Sequence, residues 1–453
     1  MTHRIGIVGS GPSGFFSAEH ILRMCEECEV DMFERYFDPF GLVRKGVAPD
    51  SPKIREVTRA FDNIAKNPRF AYFGNVEVGR DISISEMLIF YDAIILACGM
   101  ETSQRLGIPG EDLPGSYTAN SIVGWYNCHP VYRSLDIHLD GRKAIIIGMG
   151  NVSLDVARIL LRRVDQLKPT DISNEAIEKL EKSNIEEIYI VGRRGPAQAK
   201  FKENELLTLK ELSDVDLMVK EDELILNEAS KKEMKDNPSI ERIVTFFERL
   251  RNVRRKNSKV INFLFYRTPI RVNGRGKVEE VIFEKNNLVG EPYNQKTEGT
   301  GIIDTIPCDM VVASIGYRGN VLPGIPFDER RGIIPNEKGR VIKNGNILER
   351  IYVAGWIKRG PVGLIGHNRA DSLETVSCLL EDLPKLEKCT LRNREEVIRF
   401  LHNKNIRYIT YSDWKVIDEY EQYQGKLEGK IRKRVCSIEE VWEILGKSKN
   451  CYT

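Results

Sequence analysis

Short apolar runs that stop at a glycine and pass into a 3.6-residue apolar period recur along this chain. Around residues 143–158, the run 144–147 stops at Gly148, and apolar positions resume at Val152, Val156, Ile159 and Leu160. That pattern predicts strand, tight turn, helix. The chain opens the same way: residues 4–8 read as a strand, Gly9-Ser10-Gly11-Pro12-Ser13-Gly14 as the turn and 15–24 as a helix, and a second strand over 30–33 ends at Glu34. Further on, the pattern predicts an amphipathic helix over 54–64, strands over 70–78 and 91–99, a surface helix over 174–183 and a strand over 188–191. One long amphipathic helix is expected over 237–259, with Ile243, Val244, Phe246, Phe247, Leu250 and Val253 on one face. Strands over 309–316 and 350–355 follow. Next come Gly355, Gly360, Gly363 and Gly366, then a helix through Asp371, Leu373, Val376 and Leu380, then a charged, partly helical tail.

The glycines carry the chemistry. Gly9, Gly11 and Gly14 complete G-x-G-x-x-G between a strand and a helix, where the backbone must come close to a pyrophosphate resting on the helix N-terminus. Glu34 ends the next strand, where an acid accepts hydrogen bonds from ribose hydroxyls and repels a 2′-phosphate, so this site wants FAD or NAD. Gly148 and Gly150 repeat the device, with Ser153 in place of the third glycine. After this second fingerprint the acid is missing, and Gly192-Arg193-Arg194-Gly195-Pro196 stands in its place. Guanidinium pairs with phosphate through a planar fork of donors, so the second site wants NADP(H). Two nucleotide sites of opposite charge preference suggest hydride passing from NADPH to a bound flavin. The loop after Glu34 is expected to wrap that flavin, and the helix after Gly366 to aim its N-terminal dipole at the flavin ring.

Composition narrows the class. A chain of 453 residues, 41% hydrophobic and 30% charged, is an ordinary globular protein of about two or three domains. A net charge of +2 indicates no global field for nucleic acid or a membrane surface. No long apolar run is present and the first strand starts close to Met1, so neither a membrane span nor a leader is expected. The cytoplasm is the default location, with the mitochondrial matrix as the alternative for a processed form. Nine scattered cysteines, an odd number, argue against a disulfide framework. Cys25 and Cys28 form a lone C-x-x-C, without the second pair a metal or cluster would need, and are expected to be plain thiols at a helix end. Arg242, Arg249, Arg251, Arg254, Arg255, Lys256 and Lys259 make one region strongly basic.

Read together, GIVGSGPSGF, DPFGLVRKGVAPD, GRRGPAQ, GWIKRGP and YSDWKVID resemble the adrenodoxin-reductase-like ferredoxin–NADP reductases, flavoproteins related by fold to glutathione reductase. The resemblance runs almost end to end. It implies an α/β fold of two Rossmann-like dinucleotide-binding domains without a dimerisation domain: residues 1–102 with 331–453 for FAD, and 103–330 for NADP. It implies FAD at Gly9, Gly11, Ser13, Gly14, Glu34, Leu42, Val78, Trp356, Gly363, Leu364 and Ile365. It implies NADPH at Gly148, Gly150, Asn151, Val152, Arg193, Arg194 and Glu205. Asp155, Glu205, Trp356 and Gly363 would lie nearest the chemistry, with no metal. Hydride would go from NADPH to FAD, and single electrons to a ferredoxin or adrenodoxin-like [2Fe-2S] protein docked on Arg242, Arg249, Arg251, Arg254 and Arg255. Two positions depart from the family pattern: Ser51 stands where many members carry histidine, and Thr208 where an acid often follows Glu205. Two alternatives stay open, an NADPH-dependent disulfide reductase or diaphorase and an electron-channelling subunit of a larger complex.

Overall fold

The computed structural model describes residues 2–251 and 253–449. They form two compact units, Met1–Thr102 with Asn127–Pro130 and Tyr317–Thr453, and Ser103–Tyr126 with Val131–Gly316. Residues 317–330 therefore pack with the first unit, and the division comes earlier than the expected 330.

The first unit is built on a seven-stranded sheet. Its parallel strands lie in the order Asn346–Val353, Ala93–Leu96, His3–Val8, Cys28–Glu34, Phe70–Gly74. An antiparallel edge, Asn336–Glu337 and Arg340–Lys343, closes the Asn346–Val353 side. The strand order reverses beside His3–Val8, and at such a switch point a crevice opens beyond the strand ends. Ile5, Ile7, Ile94 and Ile95 are wholly buried, as expected of strands covered by helices on both faces. The second unit carries a six-stranded parallel sheet in the order Ser116–Thr118, Met310–Ala313, Lys143–Ile147, Glu187–Val191, Lys259–Leu264, Val215–Val219. Here the switch lies beside Lys143–Ile147. A separate antiparallel sheet, Arg267–Asn273, Glu280–Val289 and Lys296–Pro307, completes the unit.

Several elements differ from the sequence expectation. The long helix over 237–259 is a helix only over Pro238–Glu248, and Lys259–Leu264 is a strand. Asn237 caps the helix start with its side chain, and Phe246 and Phe247 are buried as the pattern required. Past Glu248 the chain turns, Val253 is exposed, and Val260, Ile261 and Phe263 then fill a two-sided slot in the parallel sheet. The strand expected over 70–78 ends at Gly74, where Asn75 turns the chain with φ +61°. The helix over 54–64 is a 3₁₀ segment, Pro52–Val57, followed by an α-helix, Thr58–Ala65.

The cysteines correct the expectation of free thiols. Cys25 pairs with Cys28, and Cys128 with Cys436, with Cα–Cα separations of 5.4 and 5.3 Å. The second pair joins positions 308 residues apart, which no spacing rule could reveal. No helix among the described residues is long and apolar enough to cross a membrane.

Two candidate nucleotide cradles

In the first unit, the strand His3–Val8 turns at Gly9, whose φ of +103° suits glycine. A Cβ at Gly14 would lie 2.0 Å from the Gly9 carbonyl oxygen, so the helix Pro12–Met24 rests directly on the turn. Gly11 is different. It caps that helix with φ −74° and ψ −177°, a conformation open to any residue, and no side chain caps the helix start. A Cβ there would meet no protein atom within 4 Å. Neither backbone nor packing calls for glycine, and the free space faces unpaired N–H groups at the positive end of a helix dipole, which is an anion position.

Other elements converge on this point. Glu34 is buried; one carboxylate oxygen accepts from Ser10 N at 3.1 Å and Ser10 Oγ at 2.5 Å, the other from Tyr36 N at 3.2 Å. Gly41, φ +50°, comes so close that its Cβ would lie 3.0 Å from Gly11 Cα, which brings Leu42 to the cradle. Gly355 presses on Ser13, whose Oγ lies 3.1 Å from Asn368 Oδ1. Asn368 Nδ2 in turn donates to the carbonyls of Leu364 and Ile365, beside Gly363 with its φ of +93°. Trp356 opens the short helix Trp356–Arg359, and its indole Nε1 is buried without a hydrogen-bond partner among the described residues. Val78 packs in one apolar cluster with Val8 and Phe33. Gly366 caps the helix His367–Asp382 with no side-chain cap, and a Cβ on it would also meet nothing.

Sequence reasoning missed what holds the Leu42 loop. Arg44 donates to Asp38 and to Glu421, each at 2.5 Å, and Lys45 pairs with Asp38 at 2.7 Å. Glu421 is wholly buried on the tail helix Tyr411–Leu427 and also accepts from Arg432 and from Val435 N, each at 2.8 Å. Burial works against the Asp38 charge, yet Lys45 and Arg44 outweigh it and hold the carboxyl below its usual range. One signal was available: Trp414, Ile417 and Glu421 share a helical face, so an acid sits in an apolar stripe.

In the second unit, Gly148 has φ +141°, and a Cβ on it would lie 2.1 Å from the Ser314 carbonyl oxygen. Gly150 caps the helix Asn151–Leu161 with extended backbone, no side-chain cap and open space before it, as at Gly11. Ser153 is buried and donates from Oγ to the Gly148 carbonyl at 2.8 Å. A Cβ at Gly192 would lie 2.5 Å from Met149 Cγ, so the turn bearing Arg193 and Arg194 lies against the cradle. Arg193 is exposed and Arg194 half-buried, and neither has a carboxylate partner among the described residues. Asn151 Oδ1 accepts from Lys202 N at 2.9 Å, tying the helix start to the segment of Glu205; Val152 is half-buried beside it. Asp155 pairs with the buried Arg158 at 2.8 Å, Arg158 donates to Thr208 Oγ1 at 3.0 Å, and Thr208 donates to the Glu205 carbonyl at 2.7 Å. Thr208 thus has a structural task at this position. Ser51 caps Pro52–Val57 without a side-chain hydrogen bond to it.

The basic region is exposed. Arg242 pairs with Glu203 at 2.8 Å and Arg251 with Glu221 at 3.6 Å, and Arg255 donates to the carbonyls of Asn257 and Ser258. Arg249 and Arg254 have no carboxylate partner among the described residues.

No protein-family model matches the chain. Whole-chain relatives do. It is 41% identical over 456 residues to the NADPH-ferredoxin reductase FprA of Mycobacterium leprae, with 98% of each chain covered. It is 36% identical over 459 residues to the mitochondrial NADPH:adrenodoxin oxidoreductase of Bos taurus, covering 98% of this chain and 92% of that one. The structure of FprA from Mycobacterium tuberculosis in complex with NADPH superposes with a TM-score of 0.92 at 39% identity, over 98% of this chain and 99% of that one.

Proposed function

The chain belongs to the family of NADPH-ferredoxin reductases and NADPH:adrenodoxin oxidoreductases, and from that premise we propose which residues hold the cofactors and the electron acceptor. The family is one of FAD- and NADPH-dependent oxidoreductases. When bound, the flavin lets a two-electron nicotinamide donor serve a one-electron iron–sulfur acceptor.

The residues of the first unit fit a flavin dinucleotide. Gly11, Ser13 and the free N–H groups after them take the pyrophosphate, and Glu34 takes ribose hydroxyls. The Trp356 indole Nε1, buried and unpaired, is a donor left for the cofactor. Leu42, Val78 and the segment Gly363, Leu364 and Ile365 line the same site. In the second unit Gly150, Asn151 and Val152 take the NADPH pyrophosphate, and Arg193 and Arg194 take the 2′-phosphate. Glu205 and Asp155 frame the remainder. One observation supports this most strongly: Gly11 and Gly150 are glycines that the protein's own packing does not require.

The partner is a ferredoxin-type [2Fe-2S] protein, and its acidic surface meets Arg242, Arg249, Arg251, Arg254 and Arg255. Arg249 and Arg254 carry this reading, since their charges are exposed and have no carboxylate partner among the described residues. A flavin-facing role for the Cys25–Cys28 pair is disfavoured. Cys25 lies at the far end of the helix Pro12–Met24 from Gly11, about 20 Å away by helical rise.

Purified protein should show a flavin absorbance that NADPH bleaches and oxidised ferredoxin restores; protein that is colourless and takes up no flavin would overturn the reading. Reversing the charges of Arg249 and Arg254 should weaken ferredoxin reduction and leave reduction of ferricyanide intact, with high salt giving the same pattern. Equal loss with both acceptors would remove the docking assignment.

A further inference from the structure

The turn that carries Arg193 and Arg194 takes its shape from a part of the chain without any nucleotide signature. Three successive carbonyls of the turn are occupied. Gly192 O accepts from Arg267 N at 2.9 Å, Arg193 O from Asn286 Nδ2 at 2.9 Å, and Arg194 O from Tyr266 N at 3.2 Å. Gly192 N donates to Leu264 O at 2.9 Å, so the turn is stitched to the crossover between the parallel sheet and the antiparallel one.

Each donor is itself fixed. Tyr266 has φ +56°, a left-handed conformation uncommon for so bulky a residue, which persists only where the surroundings determine it. Its hydroxyl donates to Ile225 O at 2.7 Å and sits where a Cβ on Gly195 would lie 2.2 Å away. Asn286 is buried, 7% exposed, on the middle strand Glu280–Val289. The register of that strand shifts between Glu284 and Asn286, and such a bulge re-aims a side chain. Asn286 N donates to Tyr266 O at 2.8 Å, and its amide is held by Thr268 Oγ1, with Nδ2 at 2.8 Å and Oδ1 at 3.2 Å. The backbone of the arginine turn is therefore fixed, while both guanidinium groups lack a carboxylate partner among the described residues. A cationic pair held in place and left unpaired loses little freedom when an anion arrives.

We infer that Asn286 is a positioning residue for nucleotide selectivity: through the Arg193 carbonyl it orients the turn that presents two guanidinium groups to a 2′-phosphate. This rests on the reading that Arg193 and Arg194 receive that phosphate. Asn286 touches no nucleotide. Its effect is confined to ligands that carry the 2′-phosphate, because only these engage the turn.

Calorimetric titration of the flavin-loaded full chain with 2′,5′-ADP and with 5′-AMP tests it, alongside thermal melts. In Asn286→Leu the affinity for 2′,5′-ADP should fall about five- to tenfold, the equivalent of one hydrogen bond, while that for 5′-AMP stays unchanged. Asn286→Asp keeps the shape and the Thr268 contact but cannot donate to the carbonyl; it should shift the same ratio in the same direction, and it serves where the leucine variant does not fold. An unchanged preference for 2′,5′-ADP in a folded variant, or equal loss of both ligands, overturns the assignment. The double variant Arg193→Ala with Arg194→Ala separates the two claims. If it keeps the full preference, the phosphate reading fails; if it loses the preference and the Asn286 variants do not, only the positioning role fails.

Discussion

The two cradles begin alike and part at their third and final positions. Both turn on a left-handed glycine, both cap a helix with a glycine facing open space, and both follow a strand at a switch in sheet order. At the third fingerprint position the first has Gly14, whose missing side chain lets the helix touch the Gly9 carbonyl, and the second has Ser153, whose hydroxyl spans to the Gly148 carbonyl. Beyond the next strand, Glu34 is buried and folded onto Ser10, while Arg193 and Arg194 have no carboxylate partner among the described residues. On the proposed reading the phosphate-binding device is shared, and charge at the far end of the site assigns each cradle its nucleotide.

Exchanging parts between the cradles tests that division, and Gly14→Ser should do the most damage. Its Cβ would fall 2.0 Å from a backbone oxygen, which no rotamer can relieve. Overpacking against a rigid backbone costs about 3 kcal/mol or more, so the variant should melt earlier and lose flavin on purification. Retention of flavin with an unchanged melting temperature would mean that the two third positions are interchangeable.

Removing the charge at the other end comes next. Replacing Arg193 and Arg194 with serine deletes two charge-assisted contacts of about 1.5–3 kcal/mol each, so the KM for NADPH should rise about a hundredfold or more. The KM for NADH should barely move. An equal rise for both nucleotides would show that the arginines hold the turn and do not choose the ligand.

What the sequence made legible follows the range of each signal. Gly14 is demanded by the Gly9 carbonyl five residues before it, and Gly9 and Gly148 by a positive-φ turn between strand and helix, which the local pattern shows; the Ala97 and Ser314 carbonyls that also crowd those two turns lie far along the chain and left no local trace. The Arg193–Arg194 turn was legible because it directly ends a strand. The antiparallel sheet was not: Lys296–Pro307 is exposed at most positions, so it carries no apolar alternation to read. The pairing of Cys128 with Cys436 and the bonds from Glu421 to the Leu42 loop depend on tertiary proximity across hundreds of residues. Asn286 was silent for the same reason. The helix over 237–259 was overextended because Leu250 and Val253 continue the apolar spacing past its last turn, although Leu250 is buried from a turn and Val253 is exposed.

A milder exchange is Ser153→Gly, which gives the second cradle the residue type of the first. It removes a 2.8 Å hydrogen bond and places glycine inside a helix, at about 1 kcal/mol for each change. A melting temperature a few degrees lower, with the KM for NADPH within about threefold of the parent, is the expected outcome. A loss of NADPH binding as large as that of the arginine variant would mean that the serine contacts the nucleotide.

Acid should separate the two units by the smallest margin. The loop between Glu34 and Leu42 in the first unit is backed by His129, buried against Tyr36 with ring centroids 4.8 Å apart. Burial first, and then the charges of Lys45 and Arg35, push its pKa down to about 3, with Asp38 opposing. An unfolded histidine titrates near 6.5, so below that pH the unfolded chain takes up a proton that the folded one refuses, and stability falls as pH drops from 6.5 toward 3. Between pH 7 and 5.5 the loss is about 1 kcal/mol. Asp38, held low by its cations, acts in the same sense only below the carboxylate range near 4, outside this window. His20, also lowered by burial in this unit, adds to the slope, so His129→Gln should flatten it without abolishing it. In the second unit the only histidine, His138, is exposed, and no buried imidazole there meets the falling pH. Flavin release followed by absorbance should therefore begin as the pH falls below 6.5, and His129→Gln should move its onset to lower pH.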